Sequence, residues 1–135
     1  MNKAIVLLAA GASLLAAPAL AAPRLTGEAK LADILKGRVA GKPVDCIDPR
    51  VNSETQIVDR TAIVYGWGRT VYLQVPDNAR ALNRDDVLVT HLRGSGQLCS
   101  IDVVRLHDSS GGWNRGFVGL NKFVPYTRVN VAARD

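Results

Sequence analysis

The chain has 135 residues, with 17 Lys plus Arg against 12 Asp plus Glu, two Cys and two His. That length allows one domain and excludes a large multi-layer α/β enzyme. With 47% hydrophobic and 21% charged residues, the composition also excludes low-complexity disorder.

Residues 1–22 read MNKAIVLLAAGASLLAAPALAA. Lys3 supplies a positive start, Ala4 to Ala17 an uncharged apolar core, and Pro18 breaks that core ahead of the small-x-small pattern Ala19-Leu20-Ala21. This arrangement predicts a signal peptide over residues 1–21, and hence a periplasmic or secreted protein. The uncharged run to Pro23 is about 20 residues, long enough for a membrane span. Its Ala-rich make-up and terminal cleavage pattern favour removal instead, so no stable membrane anchor is expected after cleavage. Taking 21 residues from 135 leaves a mature chain of 114. A domain of that size has a thin margin of stability.

Residues 22–43 read as an N-terminal helical segment. Thr26 can cap a helix, Glu28 suits its positive end, and Gly37 fits the position just past its last turn. Leu31, Ile34 and Leu35 share one face at i, i+3 and i+4.

From Val44 the period changes to two, and residues 44–127 read as a β-domain, followed by a C-terminal tail over 128–135. Thr61–Tyr65 and Thr70–Val75 predict a hairpin around Gly66-Trp67-Gly68-Arg69, with Ile57-Val58 extending the first strand backward. A longer connection over Ala79–Asp86 leads to a strand at Val87–Leu92. Gly94-Ser95-Gly96 then turns the chain into one long strand from Leu98 to His107. Asp108–Gly112 reads as a flexible loop, and Phe117-Val118 and Phe123-Val124 as short final strands. Five to seven strands of this spacing predict a mainly β fold, a small antiparallel barrel or sandwich with one short helix.

Cys46 and Cys99 are the only cysteines. In an oxidising compartment such a pair predicts a disulfide, closing a loop of about 53 residues for about 4 kcal/mol on a chain-entropy model. The alternative is a metal set of His91, Cys99 and His107 with Cys46. It lacks the local ligand pairs of a structural zinc site, so no metal is expected.

Four segments together resemble an uncharacterised family of small exported proteins of alphaproteobacteria such as sphingomonads and caulobacters. They are Asp59–Tyr65, Arg84–Thr90, Gln97–Ser100 with Asp102, and Phe123–Tyr126. The resemblance covers residues 44–128 and implies export, size and a shared fold, with no activity to carry over. Some relatives carry a further cysteine pair near Ala81 and Phe117, which this chain lacks.

Catalytic signatures are missing. Gly94-Ser95-Gly96 lacks the spacers of a nucleophile elbow, and no metalloprotease, phosphate-loop or dinucleotide fingerprint occurs. Asp85 and Asp86 are adjacent and would face opposite sides of a strand. His91 shares a strand face with Val87 and Val89, which predicts partial burial. His107 lies at a strand end beside Asp108, and neither histidine shows a partner. No catalytic residue and no cofactor is expected.

The most suggestive residues are Trp67 with Arg69 and Trp113 with Arg115. Both pairs sit in Gly-flanked loops and suit stacking on a sugar ring, a base or an aromatic side chain. Closing the ends of a small β-fold is the other use of such tryptophans. Twelve arginines and four lysines are scattered along the mature chain without a run. That distribution, together with export, speaks against nucleic acid as a partner. The expected function is a non-enzymatic envelope-binding domain for a protein, glycan or anionic head group. Inhibition of a periplasmic or foreign hydrolase is the alternative, and a small hydrolase with an unrecognised site a third. Mass spectrometry of the purified chain should find Ala22 at the N-terminus and no alkylatable thiol without reductant. A retained Met1 or two free thiols would contradict both expectations.

Overall fold

The structure, a computed structural model, describes residues 25–130. The expected signal peptide and residues 131–135 of the expected tail lie outside the described residues. Helix α1 (Gly27–Leu35) begins where predicted, with Thr26 Oγ1 accepting the Ala29 N–H at 3.3 Å. The Lys36 N–H returns to the Asp33 carbonyl, and Gly37, at φ +73°, swings the chain out of the helix.

Ten strands follow: β1 (Arg38–Ala40), β2 (Cys46–Ile47), β3 (Thr55–Val58), β4 (Ala62–Tyr65), β5 (Thr70–Gln74), β6 (Asp86–Thr90), β7 (Leu98–Cys99), β8 (Val103–Asp108), β9 (Asn114–Gly119) and β10 (Val124–Arg128). A 3-10 turn, Ala79–Ala81, lies between β5 and β6. The strands form three antiparallel sheets, ordered β1-β10-β5-β4-β3, β6-β8-β9 and β2-β7. Among the described residues they make a sandwich-like arrangement, not a closed barrel.

Strand β4 shows why. All four of its residues are buried. Ala62 and Val64 pack on one side with Val58, Val71 and Leu73, under Leu31, Ile34 and Leu35 of α1. Ile63 and Tyr65 point the other way, into a core with Leu98, Val104, Leu106, Val118 and Phe123. Tyr65 and Phe123 meet edge to face at 5.9 Å. The five-stranded sheet is therefore the middle layer of three, between the helix and the remaining strands.

One polar side chain is held inside that core. Gln74 is fully buried, and both ends of its amide are used. Nε2 donates to the Asn121 carbonyl at 2.6 Å, and Oε1 accepts the Asn121 N–H at 2.9 Å. The loop before β10 is thereby fixed to the end of β5.

Several expectations are corrected. Ile57-Val58 does not extend the following strand but belongs to β3, which folds back on β4 with Val58 opposite Ala62. Arg60, at φ +54°, makes that reversal, and the Thr61 N–H closes it on the Val58 carbonyl. The single strand from Leu98 to His107 is two strands. Asp102 Oδ2 takes the Cys99 N–H at 2.8 Å, and the Asp102 N–H bonds the Cys99 carbonyl, which turns the chain before β8. Arg38–Ala40, placed by sequence in the N-terminal helical segment, is an edge strand of the main sheet. Strand β9 reaches from Asn114 to Gly119, and β10 continues through Pro125 to Arg128. Strand β6 ends at Thr90, so His91 is exposed rather than partly buried, and Val87 is half exposed as well.

The disulfide is formed. Cys46 and Cys99 face each other in the β2–β7 ladder, which places Ile47 and Leu98 in the inner core. With both sulfurs bonded together, neither cysteine can serve in the metal set.

Helix α1 touches the β3–β4 turn at one point that admits no side chain. A Cβ on Gly27 would come within 2.0 Å of Thr61 Oγ1 and 2.5 Å of the Asp59 carbonyl oxygen. In a free helix Gly→Ala gains up to about 1 kcal/mol. Here the overlap costs about 1–3 kcal/mol and outweighs that gain. Gly27→Ala should lower the stability measured by urea unfolding, whereas a rise would mean the helix does not dock at this turn.

Candidate functional site

Helix α1 is nine residues long and covers only part of the outer face of the main sheet. Beyond Ile34 the same face opens into a cleft of about 300 Å³. Val64 and Val71 form its floor, and Trp67 stands over it from the β4–β5 turn. Arg38 and Arg128, directly paired in the β1–β10 ladder, make one wall, while Glu54 and Gln56 line the side nearest β3.

The turn that carries Trp67 is braced from across the sheet. Arg38 Nη1 donates to the Arg69 carbonyl and Nη2 to the Gly68 carbonyl, each at 2.8 Å. One planar guanidinium thus grips two successive carbonyls of the turn. Gly66 and Gly68, at φ +86° and +76°, give the turn its shape. Partial burial first, and then the charge of neighbouring Arg128, draw the Arg38 guanidinium below its ordinary pKa. Arg38 Nε is buried without a partner. Arg128 has no carboxylate partner among the described residues, so its charge faces the cleft.

The four residues singled out by sequence do not share one site. Trp67 is 70% exposed and lines the cleft. The Arg69 carbonyl accepts from both Arg38 Nη1 and the Arg128 N–H, while the Arg69 side chain is outside the cleft lining. Trp113, 76% exposed, belongs to the β8–β9 hairpin of another sheet. Its indole lies across the backbone of Gly111, where a Cβ would come within 2.5 Å of Nε1. Arg115 is paired with Asp86, whose side chain is almost wholly buried. Neither tryptophan plugs the core.

The turn carrying Trp113 is organised, where sequence suggested a flexible loop. Asp108 Oδ1 accepts the Ser110 hydroxyl and the Ser110 and Gly111 N–H groups, and His107 Nδ1 lies 3.0 Å from the Gly112 carbonyl. These bonds, led by the Ser110 hydroxyl, hold the Asp108 carboxyl below its ordinary range.

A second cleft of about 300 Å³ brings His91 and Asp102 together with Arg93 and Arg105. Asp102 is committed there to the Cys99 N–H and, at 3.5 Å, to Arg93 Nε. No Ser, Thr or Cys lines this cleft, so it offers no hydroxyl or thiol nucleophile. Asp85 lies in the turn before β6 and is exposed, whereas Asp86, the first residue of β6, is buried against Arg115, so the two are not a pair of strand neighbours. No family model, no curated protein and no solved structure matches this chain.

Sequence reasoning found Trp67 and missed Arg38, Arg128, Glu54 and Gln56. A usable signal was the place of Arg38, immediately after the helix-ending Gly37. The grip itself is testable. Arg38→Lys keeps the charge but cannot span two carbonyls. In a Trp113→Phe background it should lower the fluorescence anisotropy of Trp67 and cost about 1–2 kcal/mol in unfolding free energy. Unchanged anisotropy would mean that the turn holds itself.

Proposed function

We propose that this chain is an exported, non-enzymatic binding protein of the cell envelope, and that it holds its ligand in the cleft beneath Trp67. The observation that carries this reading is the grip of Arg38 on the Trp67 turn. The turn that carries an exposed indole is braced beside an apolar floor, with a guanidinium, Arg128, that has no carboxylate partner among the described residues. Binding sites of this kind join an apolar surface to a few placed polar groups. Bracing the backbone of the turn in advance lowers the entropy cost of capture.

Export is supported by the leader-like residues 1–21 and by the disulfide, which is stable in oxidising compartments. The resemblance to small exported alphaproteobacterial proteins agrees with it. The hydrolase reading has one observation in its favour, the meeting of His91 with Asp102, and against it the commitment of Asp102 to the Cys99 N–H and Arg93, with no hydroxyl or thiol in the lining. The inhibitor reading would use the rigid 66–69 or 108–116 loop as its inserting element.

The mature protein, immobilised, should retain a component of an envelope extract from the producing bacterium. Trp67→Ala should lose that component and Trp113→Ala should keep it. Equal retention by both variants would remove the cleft from the reading.

A further inference from the structure

The chemistry of the cleft narrows the ligand, on the reading just proposed. Three charged side chains line it, Arg38, Arg128 and Glu54. Arg38 turns both terminal nitrogens to the protein, Nη2 to the Gly68 carbonyl and Nη1 to the Arg69 carbonyl, with Tyr126 O a further 3.5 Å contact of Nη1. Among the described residues that leaves Arg128 as the lining guanidinium without a partner, open to an incoming anion, with the field of Arg38 behind it. Glu54, on the other side, repels a multiply charged group such as a phosphate monoester. It accepts hydrogen bonds from hydroxyl groups instead, as the Gln56 amide both accepts and donates them.

The remaining wall is flat and apolar. The exposed indole of Trp67 matches a molecule with one apolar face, and the C–H face of a pyranose ring is such a surface. Backbone spacing fixes the scale. From β10 to β3 the sheet crosses three inter-strand gaps, about 14 Å, narrowed on both sides by side chains. With a volume of about 300 Å³, that is room for one or two sugar rings, and too little for a folded partner's anchor helix.

We infer that the cleft takes an acidic saccharide, with a uronic-acid ring stacked on Trp67, its carboxylate on Arg128, and its hydroxyls at Glu54 and Gln56. Arg38 acts as a positioning residue in this arrangement and touches no ligand. A forked guanidinium–carboxylate contact at a partly exposed site gives about tenfold over the uncharged analogue.

The test uses the Trp113→Phe protein, in which Trp67 is the one remaining tryptophan of the two in the chain. Digalacturonic acid should change its emission saturably, and the neutral disaccharide galactobiose should bind about tenfold more weakly. Arg128→Gln, at an exposed position, should bring the acid down to the neutral sugar without lowering the unfolding midpoint. Raising the salt concentration should narrow the same gap. Equal affinity for the two sugars, or no response to either, overturns the inference, as does a response confined to phosphatidylglycerol vesicles. If the envelope component described above is still retained through Trp67, only the saccharide assignment falls. If retention fails as well, the binding reading falls with it.

Discussion

Strand β4 has no wet face, and the rest of the molecule is arranged around that fact. Ala62, Ile63, Val64 and Tyr65 are all buried, so a layer must cover each side of the sheet they run through. The β6-β8-β9 sheet and the β2-β7 pair cover the Ile63 and Tyr65 side. Among the described residues, the layer that covers the Ala62 and Val64 side is α1, about 13 Å of helix. A helix that short cannot roof a five-stranded sheet, and the cleft beneath Trp67 is the part of the face it leaves open. The candidate site is thus a by-product of how far the N-terminal segment reaches before Gly37 ends it.

On the other side, the weakest ladder is joined covalently. Two residues per strand could not keep β2 and β7 paired against solvent. The Cys46–Cys99 bond keeps them in place, and with them Ile47 and Leu98 at the core. Asp102 completes this corner by capping the Cys99 amide while the chain bends toward β8. A small domain with few large aromatic residues gains much from such a link, because it removes freedom from the unfolded chain.

What could be read from the residues was whatever depends on neighbours in sequence. The cap at Thr26, the stop at Gly37 and the hairpin around Gly66–Arg69 are local chemistry, and they stand where the pattern put them. The break inside 98–107 escaped notice because a side chain, Asp102, makes it, while the backbone pattern stays β-like throughout. The reversal at Arg60 escaped for a related reason, since a left-handed residue there is not a glycine. The cleft was half legible. Glycines around Trp67 marked a loop whose indole could stack on a ligand or close an end of the fold, and its neighbours Arg38, Arg128 and Glu54 come from three distant segments that only the sheet order brings together.

Arg38 stands three residues beyond the end of α1 and grips the turn that carries Trp67. Helix docking and indole placement therefore share one short stretch of backbone. To the extent that this stretch couples the two, the coupling is reciprocal: a molecule settled against the indole would slow the opening of the helix, and loosening the helix would weaken what has settled. An occupied cleft would be recorded at a distance from itself, in slower amide hydrogen exchange along Gly27–Leu35.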